Sequence, residues 1–182
     1  MKVFRVASHD FDAEYFEDAP DDLFCPDCGT LLKPGVYVPK KVGGRAIKSG
    51  FSHSGDGIVY ASQDAKDVID RHATGNFDFI QVNDKPVKYA FFFHDNVAFD
   101  AQRTGTRFLD KCGQCGNFES IVGVTPGFLK PNQEIGPFSV CRTDLVFASG
   151  REKGPFLIVG EELAKILMVH FPKLHFDELT TS

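Results

Sequence analysis

Cys25-Pro26-Asp27-Cys28-Gly29 and Cys112-Gly113-Gln114-Cys115-Gly116 are two copies of one pattern, CxxCG, and they use four of the five cysteines in the chain. A CxxC turn lets two thiolates from one short loop meet one tetrahedral metal. Glycine after the second cysteine permits the positive φ with which a tight knuckle turns its backbone. Two such knuckles supply four soft ligands, a donor set that suits zinc and closes its coordination shell. Pro26 stiffens the first. Residues 29–111 between them make a far longer gap than a compact zinc ribbon has. One metal held by Cys25, Cys28, Cys112 and Cys115 would therefore tie the N-terminal segment to the middle of the chain. The expected organisation is one domain, residues 1–182, with 29–111 as a long insertion between the knuckles.

Two other readings compete. A redox CxxC belongs at a strand-to-helix junction in a βαβ setting, and neither motif precedes a convincing helix. Four small buried hydrophobes would have no reason to repeat one five-residue pattern. The four-cysteine metal site is preferred. A closed four-thiolate shell has no position for water or substrate, so the single ion is expected to be structural. Zinc is the default, and iron in the same cage would make a rubredoxin-type centre. Cys141, in a strand-like stretch, reads as a core thiol.

Outward from the knuckles the pattern is strand-rich. Residues 1–7, 77–82, 87–93, 118–124, 143–148 and 156–159 read as strands, and 174–176 as a last short one. Val87, Tyr89, Phe91 and Phe93 share one face of the strand at 87–93 and give part of the surplus of 19 Phe a place. Ser62 caps a helix to about His72, with Ala65, Val68, Ile69 and His72 on its apolar face and Gly75 beyond its end. A second helix runs over 161–171, with Leu163, Ile166, Leu167 and His170 on one side and Pro172 closing it. Residues 125–137 read as a loop. Short turns and the lack of regular βαβ alternation predict an α+β fold: one domain, a mainly antiparallel sheet and two or three helices.

With 182 residues, 42% hydrophobic and 25% charged, the chain can build a core. A net charge of −5 argues against nucleic acid or an anionic membrane as the main partner. No signal peptide and no membrane-length apolar run is present, so a reducing cytoplasm is the expected compartment. Motifs of the GxSxG, Walker A, GxGxxG and HExxH kinds are absent, and no enzyme activity is expected. Residues 50–57 bring Ser52, His53 and Asp56 together, but neighbours in a glycine-rich stretch rarely face one another as a triad does, and a flexible surface loop is preferred. His9, His72, His94 and His170 have no nameable catalytic partner.

Charge is unevenly laid out. Residues 10–22 carry Asp10, Asp12, Glu14, Glu17, Asp18, Asp21 and Asp22 with no Lys or Arg, whereas 33–48 are basic. The plain reading of the acidic run is a solvated face. The functional one is a surface that docks a basic protein partner, with Tyr15 and Phe16 as buried anchors among Asp10, Asp12, Glu14, Glu17 and Asp18.

The layout of an acidic N-terminal segment, CPDCG, a long middle, CGQCG and a closing helix-and-strand unit resembles the double-CXXCG motif proteins of bacteria. The cysteine motifs match at Cys25, Cys28, Gly29, Cys112, Cys115 and Gly116. Residues 56–62 leading into 77–82, and 155–159 leading into 171–176, are similar to a unit of related immunity families. The resemblance implies a cytoplasmic, non-enzymatic immunity protein that binds and blocks a cognate toxin. A zinc-ribbon module acting on nucleic acid or the transcription machinery is the alternative.

Overall fold

In the computed structural model, the described residues are 2–8, 11–12, 19–32, 38, 45–55 and 57–181, with 11 and 12 described by backbone alone. Along the chain run β1 (Val3–Ala7), β2 (Phe11–Asp12), a 3-10 turn (Asp21–Leu23), β3 (Phe51–Ser54), β4 (Val59–Ser62), α1 (Gln63–His72), β5 (Phe77–Asp84), β6 (Val87–Phe93), β7 (Asn96–Val97), α2 (Ala101–Thr104), β8 (Arg107–Lys111), β9 (Phe118–Val122), β10 (Phe128–Leu129), β11 (Val140–Ser149), a second 3-10 turn (Gly150–Glu152), β12 (Gly154–Gly160), α3 (Glu161–His170) and β13 (His175–Thr181).

Among the described residues the fold is mainly antiparallel with three helices, and the strands form two sheets rather than one. The larger has the order β10-β13-β1-β12-β11-β9-β8, with β7 pairing β11; the smaller has the order β2-β3-β4-β6-β5. Among the described residues, the parallel strand pairings are those of the short β2, β7 and β10, with an isolated parallel bridge between Thr74 and Ser139. The main core lies between the sheets. It joins Val6 of β1, Phe51 of β3, Val59 and Ala61 of β4, Phe91 and Phe93 of β6 and Leu157 and Val159 of β12, under Ile69 of α1 and Leu163 and Leu167 of α3. A second core covers the other face of the larger sheet, with Val3, Phe99, Leu129, Cys141, Phe147 and Ile158. Among the described residues no helix is long and apolar enough to cross a membrane.

The two main helices form where their caps and apolar stripes place them. Ser62 accepts from the Ala65 N–H, capping α1, and Ala65, Val68 and Ile69 are buried beneath it. The helix stops at Ala73, before Gly75, because Ala73 is already extended. In α3 the buried stripe is Leu163, Ala164 and Leu167, closed by Phe171. His170 turns to solvent, so its expected place on the apolar face is corrected.

Three other expectations change. Within the stretch read as a flexible surface loop, 51–54 form β3, antiparallel to β4, with Phe51 fully buried, while Asp56 lies outside the described residues. Gly50 is there for close approach, since a Cβ on it would lie 2.6 Å from the buried Phe171 ring. The 125–137 loop contains β10, and β8, just ahead of the second knuckle, has no strong apolar alternation to announce it. Finally, the expected short strand at 174–176 begins one residue later and runs on as a seven-residue strand, β13, inserted between β1 and β10. Phe79 and Phe91 stack at 4.4 Å across β5 and β6, which accounts for part of the phenylalanine surplus by packing alone.

Candidate metal centre

Each CxxCG sits at the tip of a small antiparallel hairpin. In the first, Phe24 bridges Leu31; in the second, Lys111 of β8 pairs with Phe118 of β9. The two tips repeat one hydrogen-bond pattern. Gly29 N–H donates to the Cys25 carbonyl at 2.8 Å and Gly116 N–H to Cys112 at 3.0 Å. Cys25 N–H donates to Thr30 and Cys112 N–H to Asn117, at 2.9 and 2.8 Å. Gly29 and Gly116 have φ of 67° and 73°, the left-handed turn that their position in the motif predicts.

The four sulfurs converge. Cys25 Sγ lies 3.7 Å from Cys112 Sγ, Cys28 Sγ lies 3.6 Å from Cys115 Sγ, and all four fall within 4.8 Å of one another. Four sulfurs each about 2.3 Å from one tetrahedral ion would stand about 3.8 Å apart. The cluster therefore fits a single metal, and the donor set suits zinc. Cys25 is buried and the other three are half-buried.

Groups that the motif does not name complete the surroundings. Thr30 and Asn117 occupy the same offset, two residues after the second cysteine of each knuckle. The Thr30 hydroxyl hydrogen-bonds Cys28 Sγ at 3.2 Å, and Asn117 Nδ2 donates to Cys115 Sγ at 3.6 Å. With its amide nitrogen facing the first knuckle, Gln114 donates to both carboxylate oxygens of Asp27 at 3.0 and 3.1 Å, joining the tips directly. The turn from β11 to β12 forms a third wall. Arg151 lays its guanidinium over the Phe24 ring at 4.4 Å. Lys153, buried, donates from Nζ to Thr30 Oγ1 at 2.8 Å and to the Phe118 carbonyl.

Without metal the sulfurs compete for charge. The Thr30 hydroxyl, more than its backbone N–H, favours the Cys28 thiolate against burial and holds Cys28 down to about 6. A backbone hydrogen bond from Cys28 favours a thiolate at Cys25 too. Burial, with the side-chain bonds to Cys28 and Cys115, outweighs it and pushes Cys25 up to about 11. Metal loading at neutral pH must then release protons.

Cys141 stands apart in the second core, its thiol raised to about 12 chiefly by burial. Asp10, Glu14, Tyr15, Phe16, Glu17 and Asp18 lie outside the described residues, and Asp12 is described only as backbone in β2. Lining up the two knuckles as CPDCGT and CGQCGN would have marked Thr30 and Asn117 as matched polar positions. Nothing in the local sequence marks Lys153, which reaches the centre from the far end of the chain. Compared with protein-family models, curated proteins and solved structures, the chain finds no match.

Proposed function

We propose that this protein is a zinc-stapled, non-enzymatic binding protein, and specifically an immunity protein that binds and occludes a cognate bacterial toxin in the cytoplasm. The observation that carries the reading is the closed four-sulfur cluster between two matched hairpin tips. A metal held there has no free coordination position, so the centre clips the chain and leaves recognition to the surface. Its CxxCG pairs are those in which the chain resembles the double-CXXCG proteins. The acidic segment from Asp10 to Asp22, ahead of the first knuckle, is the docking face we assign to a basic toxin surface, with Tyr15 and Phe16 as anchors.

The test is genetic and biochemical. The product of the reading frame next to this gene should arrest growth when expressed alone and lose that effect when this chain is co-expressed. The purified pair should form a stoichiometric complex whose affinity falls with salt. Reversing Asp12, Glu14, Glu17 and Asp18 to lysine should weaken it at least tenfold and flatten the salt dependence. Absence of neutralisation, combined with specific binding to single- or double-stranded nucleic acid at physiological salt, would overturn the reading in favour of a zinc-ribbon module.

A further inference from the structure

Four thiolates around one divalent ion carry a net charge of −2, and a site half-buried from water must have that charge compensated. One side chain is placed to do so. Lys153 is 8% exposed, and its Nζ donates to Thr30 Oγ1 on the first hairpin and to the Phe118 carbonyl on the second. Both acceptors are neutral. Among the described residues Lys153 forms no ion pair with a carboxylate; burial lowers its pKa, and the negative groups that oppose this are Cys28, Cys115 and, from the exposed surface, Glu119. A buried ammonium without a carboxylate partner is costly unless other anions offset it.

Thr30 completes the link. A hydroxyl has one proton and two lone pairs. When Cys28 is a metal-bound thiolate it has no proton to donate, and Thr30, its oxygen occupied by the ammonium proton, has its own proton for Cys28 Sγ, 3.2 Å away. The chain from ammonium to hydroxyl to sulfur is thus polarised in one direction. The lysine backbone is also held in place. A Cβ on Gly57 would lie 2.5 Å from the Lys153 carbonyl oxygen, so only glycine lets the β3–β4 turn press against this residue.

We infer that Lys153 is the built-in counter-cation of the four-cysteine centre: a positioning residue that bridges the two hairpin tips, holds the ligands together and favours retention of a divalent ion. The inference rests on the metal-centre reading above.

Cobalt(II) titration of the full chain, followed by competition with a chromophoric chelator, tests both levels. Wild type should give the absorption of a tetrahedral four-thiolate cobalt site. Lys153→Met and Lys153→Gln should bind ten- to a hundredfold more weakly, the range expected when a group supporting the ligands is removed. Lys153→Arg, which keeps the charge, should lose less. In iron-loaded protein, Met or Gln at 153 should move the ferric/ferrous potential to a more negative value, because the nearby cation stabilises the more negative ferrous centre. Glutamine keeps a donor and carries the test if the methionine variant does not fold. Equal affinity and equal potential in wild type, Gln and Arg would overturn the inference while leaving the metal centre standing. A wild type that takes up no cobalt on four thiolates would overturn the metal reading and the inference with it.

Discussion

Among the five cysteines, chemical identity is constant and environment decides the role. Cys28 has a hydroxyl beside its sulfur and lies in a cluster, whereas Cys141 is 4% exposed in a packed core with its sulfur 3.8 Å from the Ile158 carbonyl. Burial raises the Cys141 thiol to about 12, so almost none of it is thiolate at pH 8. Alkylation of the native, chelator-treated protein at pH 8 should therefore modify Cys28 first and leave Cys141 slow, with Cys25, also buried and held as a thiol, slow beside it. Mass spectrometry should find early labelling at Cys28 under native conditions and five adducts after denaturation. Labelling of Cys141 as fast as Cys28 on native protein would show that Cys141 is accessible. That this thiol belonged to the core was readable from its strand-like neighbours. The sulfur hydrogen bonds of Thr30 and Asn117 became visible only once both tips were folded.

At the scale of elements, a metal held between the hairpin tips would convert two local turns into a long-range link. A metal joining Cys28 to Cys112 closes a loop over residues 29–111, nearly half of the chain. By the loop-closure entropy that governs disulfides, such a link stabilises the fold by on the order of 4 kcal/mol. Cys112→Ser should remove the ion and lower the unfolding free energy by about that amount, as read by denaturant titration of metal-loaded protein. Cys141→Ser should cost core packing yet leave one metal per chain. Full metal content in Cys112→Ser would refute the link. The knuckles, α1 and α3 were legible because caps, glycines and apolar stripes are local signals. β8 was not, because all five of its residues are exposed and, among the described residues, it pairs along the β9 side alone.

Across the whole molecule, pH acts through groups buried by distant elements. His53 of β3 has its pKa lowered, first by burial and then by the positive charge of Arg5 on β1. The fold thus favours the neutral imidazole. A lowered histidine pKa contributes stability that is intact above the unfolded value of about 6.5 and is lost as pH falls through the lower folded value. Metal-loaded wild type should lose more thermal stability between pH 7 and pH 5 than metal-loaded His53→Gln. Equal losses would show that His53 does not carry the effect. Thiolate protonation, which releases the metal, acts on both proteins and cancels in the comparison.

What the amino-acid sequence determined by itself is the donor set, its pairing into two knuckles and the strand-rich α+β character. Each depends on spacing within a few residues: CxxCG for the sulfurs, alternation for the strands, a serine cap for α1. The tertiary structure alone decided that the strands divide into two sheets and that 51–54 is a buried strand rather than a loop. It also decided that Lys153 enters the centre. Those outcomes depend on which distant surfaces meet. Phe51 is buried because Phe91 and Phe171 pack against it, and the Lys153 ammonium finds its acceptors only where two hairpins far apart in the chain come together.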